Sequence, residues 1–128
     1  LDVLTVIADG AIGARLIELW HAGAGISGAS AGAMVLCANL TNPAHAGTVV
    51  SGLGLVPGLA IPHWSPGSER RWSLPPSGPG SLLWGLPECG GILIDDDTMV
   101  AVGQGAAAVR ISDDWVPVSR TGPQRMPL

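Results

Sequence analysis

The chain has 128 residues, of which 47% are apolar and only 12% charged, with a formal net charge of −4. That composition excludes general disorder and suits one domain, residues 1–128, with a modest core. It has arginines but no lysine, leaving no basic stripe for nucleic acid. No apolar run approaches the ~18 residues of a membrane span, so no membrane association is expected. A basic n-region followed by an apolar stretch is also lacking at the start, so no signal peptide is read and a cytoplasmic protein is expected. Cys37 and Cys89 are far apart and lack metal-ligand spacing. They are read as reduced core thiols, and neither a metal nor a cofactor is expected.

In chain order, residues 3–8 read as a short strand or as the end of a preceding element. Residues 11–22 read as a helix with Ile12, Leu16, Leu19 and Trp20 on its apolar face and Gly23 at its C-terminal cap. Residues 24–27 read as a short buried strand and 31–39 as a helix. Residues 48–50, 53–56 and 59–61 are short extended pieces broken by Gly and Pro. Residues 64–87 are rich in Pro, Gly and Ser and read as a mobile surface loop or lid, with one helical turn at Ser81–Trp84. Residues 91–94 and 98–102 are strands around the acidic turn Asp95-Asp96-Asp97. Residues 106–111 follow the turn at Gly103-Gln104-Gly105 as a hairpin, residues 115–118 form an edge strand, and 119–128 a frayed tail. The order of elements predicts an α/β fold with a mainly parallel sheet and an antiparallel C-terminal edge. Few parallel strands precede residue 30, so part of the sheet is expected to be missing.

The most informative stretch is "GISGASAGAMVL", residues 25–36. Ser30 lies between Gly28 and Gly32, where a short apolar strand would run straight into an apolar helix. Such a tight turn strains its corner residue and lifts that side chain clear of the sheet edge, while the close backbones demand small flanking residues. This is the G-x-S-x-G nucleophile elbow, with the Ala31 N–H aimed where an oxyanion would form. The plainer alternative is a small-residue turn in which Ser30 caps the helix.

A serine nucleophile requires a base. His21 lies on the first helix and faces solvent, His45 follows Pro43 in a turn, and His63 stands at a strand end before Trp64. His63 suits the role best; the alternative is a core or surface histidine. For the acid that orients the imidazole, Asp96 at the end of the 91–94 strand is the candidate, against a solvated acidic turn. The order Ser, His, Asp is not that of the α/β-hydrolases.

Together these motifs resemble the peptidase E and cyanophycinase family of serine peptidases. "GISGASAGAMVL" is similar to the family's G-x-S-A-G-A elbow. "GLGLVPGLAIPHW", residues 52–64, resembles its histidine segment, and "GILIDDDTMVAVG", residues 91–103, its strand–turn–strand. The resemblance covers roughly residues 11–110. It implies a three-layer α-β-α sandwich of the class I glutamine amidotransferase type. It also implies Ser30 as nucleophile, Ala31 N–H as one oxyanion donor, His63 as base, and Asp96 where the cyanophycinase branch has a Glu. Residues 31–62, from which peptidase E draws its acid, contain no Asp or Glu. The family's second oxyanion donor, on an earlier Gly-Gly segment, has no counterpart here. The chain is therefore expected to be the C-terminal part of such a protein.

Two functions are consistent with this reading. One is a serine peptidase that cleaves small peptide or isopeptide bonds through Ser30, His63 and Asp96. The other is a non-catalytic, truncated member acting as a binding or oligomerisation module. A class I glutaminase would need Cys at the elbow, and Ser30 argues against it. Acidic substrates, as the resemblance implies, would need a cation, for which Arg70 and Arg71 in the loop after His63 are candidates. An uncovered sheet edge would invite pairing with another copy, giving a homo-oligomer.

Overall fold

A computed structural model describes residues 2–41, 48–72, 74 and 82–127. Three helices come first: α1 (Asp2–Asp9), α2 (Ala11–His21) and α3 (Ala31–Leu36). Residues 3–8 are thus helical, because Leu4, Ile7 and Ala8 recur at helical spacing and pack on the main core. α2 ends as expected, with the Gly23 N–H donating to the Trp20 carbonyl at positive φ. Its buried face differs from the expected one. Gly13 brings the helix against α1, where a Cβ would stand 2.0 Å from the Ile7 carbonyl oxygen. That crossing turns Leu16 and Ile17 inward and leaves Ile12 61% exposed.

Nine strands follow among the described residues. β1 (Asn39–Thr41) and β2 (Val49–Ser51) form an antiparallel ribbon. β3 (Leu59–Pro62), β4 (Leu82–Leu86), β7 (Ala108–Ile111) and β8 (Asp114–Pro117) form a four-stranded sheet in that order. β5 (Gly90–Asp95), β6 (Thr98–Gly103) and β9 (Gln124–Arg125) form a three-stranded one. Among these pairs only β3–β4 is parallel. The expected mainly parallel sheet is not found among the described residues, for a local reason. β5–β6 and β7–β8 are joined by two-residue turns, and so short a connection permits only antiparallel pairing.

Within the four-stranded sheet, β3 and β4 are buried on both faces by simple alternation. Ala60, Leu82, Trp84 and Val109 point to one side and join Met34, Leu40 and Met99 in the main core beneath the helices. Leu59, Ile61, Leu83 and Ala108 point to the other, where Trp64, Trp72 and Trp115 cover them. Ile61 is wholly buried, which contributes about 2–3 kcal/mol. The second face is therefore closed by aromatic side chains.

Several expectations change here. Residues 82–86 form a buried central strand rather than part of a loop with a helical turn. The preceding segment is tied down by Trp64, Trp72 and Leu74, leaving a short 3₁₀ turn at Ser68–Arg71. Residues 73 and 75–81 of the expected lid lie outside the described residues, as does His45. α3 stops at Leu36 because Cys37 turns extended and bridges Val56. β7 pairs with β4 and β8, not with β6. The tail is not frayed: β9 adds to β6, and the Met126 N–H donates to the Asp97 carbonyl at 2.7 Å. Residues 24–27, expected as a short buried strand, pair with no strand among the described residues and are mostly exposed. A strand forms only where a neighbour can take its hydrogen bonds.

Both cysteines are free, but only Cys37 is in the core; Cys89 is exposed. Burial pushes the Cys37 thiol up to about 12, an effect that a backbone hydrogen bond at Ala60 only partly offsets. Its Sγ also faces the Ala33 carbonyl at 3.6 Å. A thiolate is therefore scarce at Cys37 throughout the neutral range. Iodoacetamide at pH 8 should modify Cys89 alone in the folded chain, and Cys37 only after denaturation, as peptide mass mapping would show.

Candidate active site

Ser30 sits at the corner between residues 24–29 and α3, with φ 52° and ψ −120°. A non-glycine residue rarely adopts this backbone, and the strain holds only where the surroundings enforce it. Gly28 is part of that enforcement. A Cβ there would meet the Gly32 carbonyl carbon and oxygen, each at 2.5 Å. The plain capping role for Ser30 is not what is found. It occupies the N-cap position without a side-chain cap hydrogen bond. Its Oγ instead lies 3.4 Å from His63 Nε2. The Gly32 N–H donates to the Ala29 carbonyl at 2.8 Å, whereas the Ala31 N–H makes no backbone hydrogen bond among the described residues.

His63 follows the last residue of β3 and has φ 54°. Its backbone is fixed by what comes next. The Trp64 N–H donates to the Leu86 carbonyl at 2.9 Å, and the Trp64 ring lies 4.9 Å from that of Trp115. Gly85 makes room for it, since a Cβ at that position would stand 2.6 Å from the Trp64 ring. Burying Trp64 beneath the sheet leaves the preceding imidazole on the outer surface at the strand end.

The carboxylate on His63 belongs to Glu88, whose Oε1 is hydrogen-bonded to Nδ1. The parallel register explains the pairing. Pro62 stands opposite Leu86, so extending both strands brings His63 beside Pro87 and Glu88. The turn carrying Glu88 is held from behind. The Gln104 N–H donates to the Cys89 carbonyl at 2.8 Å, and Gly103 closes on that carbonyl with no room for a Cβ. A carboxylate can only accept, so Nδ1 carries the hydrogen and, in the neutral ring, Nε2 is free to accept from the Ser30 hydroxyl.

Asp96, expected in this position, makes no contact with His63. It occupies the turn after β5, which starts beside Glu88 and runs six residues to Asp95. At the rise of an extended strand that is roughly 20 Å of travel. The acidic turn serves the sheet instead: Asp97 pairs with Arg125 at 3.0 Å, and the Asp95 carbonyl accepts from the Thr98 hydroxyl at 2.9 Å. Reading residues 82–86 as loop hides the strand end that presents Glu88, so the sequence ranks Asp96 ahead of it. Arg70 and Arg71 lie exposed on the 3₁₀ turn and line no part of the cavity over Ser30.

That cavity has a volume of about 640 Å³ and is lined by Ser30, His63 and Glu88, with apolar walls that include Trp20, Ile26 and Leu86. Among the described residues no group of three or more His, Cys, Asp or Glu side chains could hold a metal ion, and no helix is long and apolar enough to cross a membrane.

The model of peptidase family S51 matches residues 1–110. Among solved structures, a peptidase from an acI-B1 Actinobacterium is similar in fold, with a TM-score of 0.73 and 22% identity. The match covers 97% of this chain and 55% of that one, so the chain spans about half the length of this neighbour. No curated protein gives a significant match.

Proposed function

The chain belongs to peptidase family S51, the family of peptidase E to which its motifs pointed, and from that premise we propose that it is a serine peptidase acting through Ser30, His63 and Glu88. The observation that carries this reading is the continuous relay from Ser30 Oγ through both His63 nitrogens to Glu88. Ser30 attacks the scissile carbonyl while Nε2 takes its proton. The Ala31 N–H donates to the developing oxyanion. The imidazolium, held by Glu88, returns the proton to the leaving amine, and water then releases the acyl group by the same steps reversed. The 3.4 Å separation is looser than a strong O–H···N bond, as is common before substrate tightens a site. Glu88 fills the role expected of Asp96, and its longer side chain agrees with the Glu that the cyanophycinase resemblance implies.

The test is covalent labelling. A fluorophosphonate probe should modify Ser30 at a rate well above that of other serines in the chain, and Ser30→Ala should abolish the adduct in intact-mass and peptide-mapping spectra. Absence of the adduct in the folded protein would sink the peptidase reading and favour the non-catalytic binding module.

A further inference from the structure

We propose that Arg120 is a positioning residue for Glu88: it clamps the 103–105 turn against the turn that presents the carboxylate to His63. This role rests on the catalytic reading above. Its own basis is a chain of contacts that runs from Arg120 to the Glu88 backbone.

The turn that carries Glu88 needs support. Its own closing bond, from the Gly90 N–H to the Pro87 carbonyl, is long at 3.4 Å. Cys89 within it has φ 55°. A non-glycine residue keeps that backbone only where its surroundings enforce it. The Glu88 side chain is 74% exposed, so its direction depends chiefly on where the backbone places it.

The enforcement comes from the 103–105 turn. The Gln104 N–H donates to the Cys89 carbonyl at 2.8 Å. Gly105 lies flat on the neighbouring peptide. A Cβ there would stand 2.5 Å from the Glu88 carbonyl oxygen and 2.6 Å from the Pro87 ring. Contact this close transmits displacement, so a shift of Gly105 carries the Glu88 backbone with it.

Arg120 fixes that turn in place. Its Nη2 donates to the Gly105 carbonyl. A guanidinium donor makes this a charge-assisted bond, stronger than one between neutral groups. The arginine is itself anchored. The Val118 N–H donates to the Ala107 carbonyl at 3.0 Å, and the Ala101 N–H donates to the Ser119 carbonyl at 2.8 Å. The Ser119 N–H donates to Gln124 Oε1 at 2.6 Å. Residues 118–119 are thus tied to β6 before the turn and to Ala107 after it. Arg120 follows directly and reaches Gly105 between them.

The experiment compares fluorophosphonate labelling of Ser30 in the unsubstituted chain, in Arg120→Gln, in Arg120→Lys, and in Arg120→Gln combined with Glu88→Gln. Arg120→Gln should slow labelling about fivefold, less than loss of the acid itself, because water replaces part of an exposed hydrogen bond. Arg120→Lys should stay within a factor of about two, since an ammonium can still donate to the carbonyl. In the Glu88→Gln background Arg120→Gln should add no further slowing, because an effect that passes through Glu88 vanishes with it. Amide hydrogen exchange at Gln104 should quicken in Arg120→Gln while Tm stays within a few degrees, which separates local loosening from failure to fold. An unchanged labelling rate in Arg120→Gln would overturn the proposal. So would equal slowing with and without the Glu88 carboxylate. Either result leaves the catalytic reading standing. If the unsubstituted chain takes no label, that reading falls and the role of Arg120 falls with it.

Discussion

Replacing Glu88 with Gln should slow fluorophosphonate labelling of Ser30 by about 10²-fold, whereas Asp96→Asn should leave it unchanged within a factor of about two. The first value is set below the ~10⁴ that a buried orienting aspartate supplies in the serine proteases. Glu88 is 74% exposed, so water can take over part of its hydrogen bond to Nδ1 and part of the charge stabilisation. The amide leaves the volume unchanged. It can still accept through its oxygen, or it can turn its NH₂ to Nδ1 and favour the tautomer in which Nε2 carries the hydrogen and cannot take the serine proton. Asp96 lies at the far end of β5 and touches neither residue. Second-order labelling rates for the two variants and the parent chain, followed by intact mass, decide between the acids. A large loss in Asp96→Asn with none in Glu88→Gln would restore the assignment made from the motif order.

That exchange of acids shows what was legible in the residues. The elbow was readable because its constraint is local. Gly28, Ser30 and Gly32 are close in sequence, and the apolar run after them needs only its own periodicity to become helix. His63 was readable because the β3 residues Leu59–Pro62 form a compact apolar run that stops at the imidazole. Glu88 depended on a non-local fact, the parallel pairing of Pro62 with Leu86. That pairing could not be reached while "LLWGL" was counted with the Pro- and Gly-rich stretch before it. The Gly103-Gln104-Gly105 turn likewise suggests a hairpin with the strand before it, whereas β7 pairs with β4. Residues 3–8 are open in sequence between a short strand and the end of a preceding element, because their apolar positions are short of the length at which periodicity decides. The buried face of α2 was set by the Gly13 crossing against α1, a contact invisible in either helix alone. Residues 24–27 have the composition of a buried strand, yet they pair with no strand among the described residues. Composition states what a segment could do if a neighbour existed, not whether one does.

The two glycines of the elbow, equivalent in the motif, should behave very differently when each is changed to alanine. At Gly28 a Cβ would stand 2.5 Å from the Gly32 carbonyl carbon and oxygen and 2.9 Å from the Ala33 nitrogen. These are backbone atoms of the first turn of α3, so they cannot turn aside as a side chain would. Relief requires the segment before Ser30 to move away from α3, and the positive φ of Ser30 depends on that close approach. The Oγ would then leave the reach of Nε2, and a misplacement of about 1 Å commonly costs on the order of 10²-fold in rate. Gly28→Ala should therefore lower Ser30 labelling by about 10²-fold or more, with a drop in Tm from the forced separation. At Gly32 a Cβ meets nothing within 4 Å. Alanine also relieves the entropic cost of glycine within a helix, worth about 0.5–1 kcal/mol. Gly32→Ala should keep the labelling rate and hold or raise Tm by a few degrees. Thermal melts beside labelling rates check both. Loss of labelling in Gly32→Ala with none in Gly28→Ala would mean that the corner is held open by something other than the approach of Gly28 to α3.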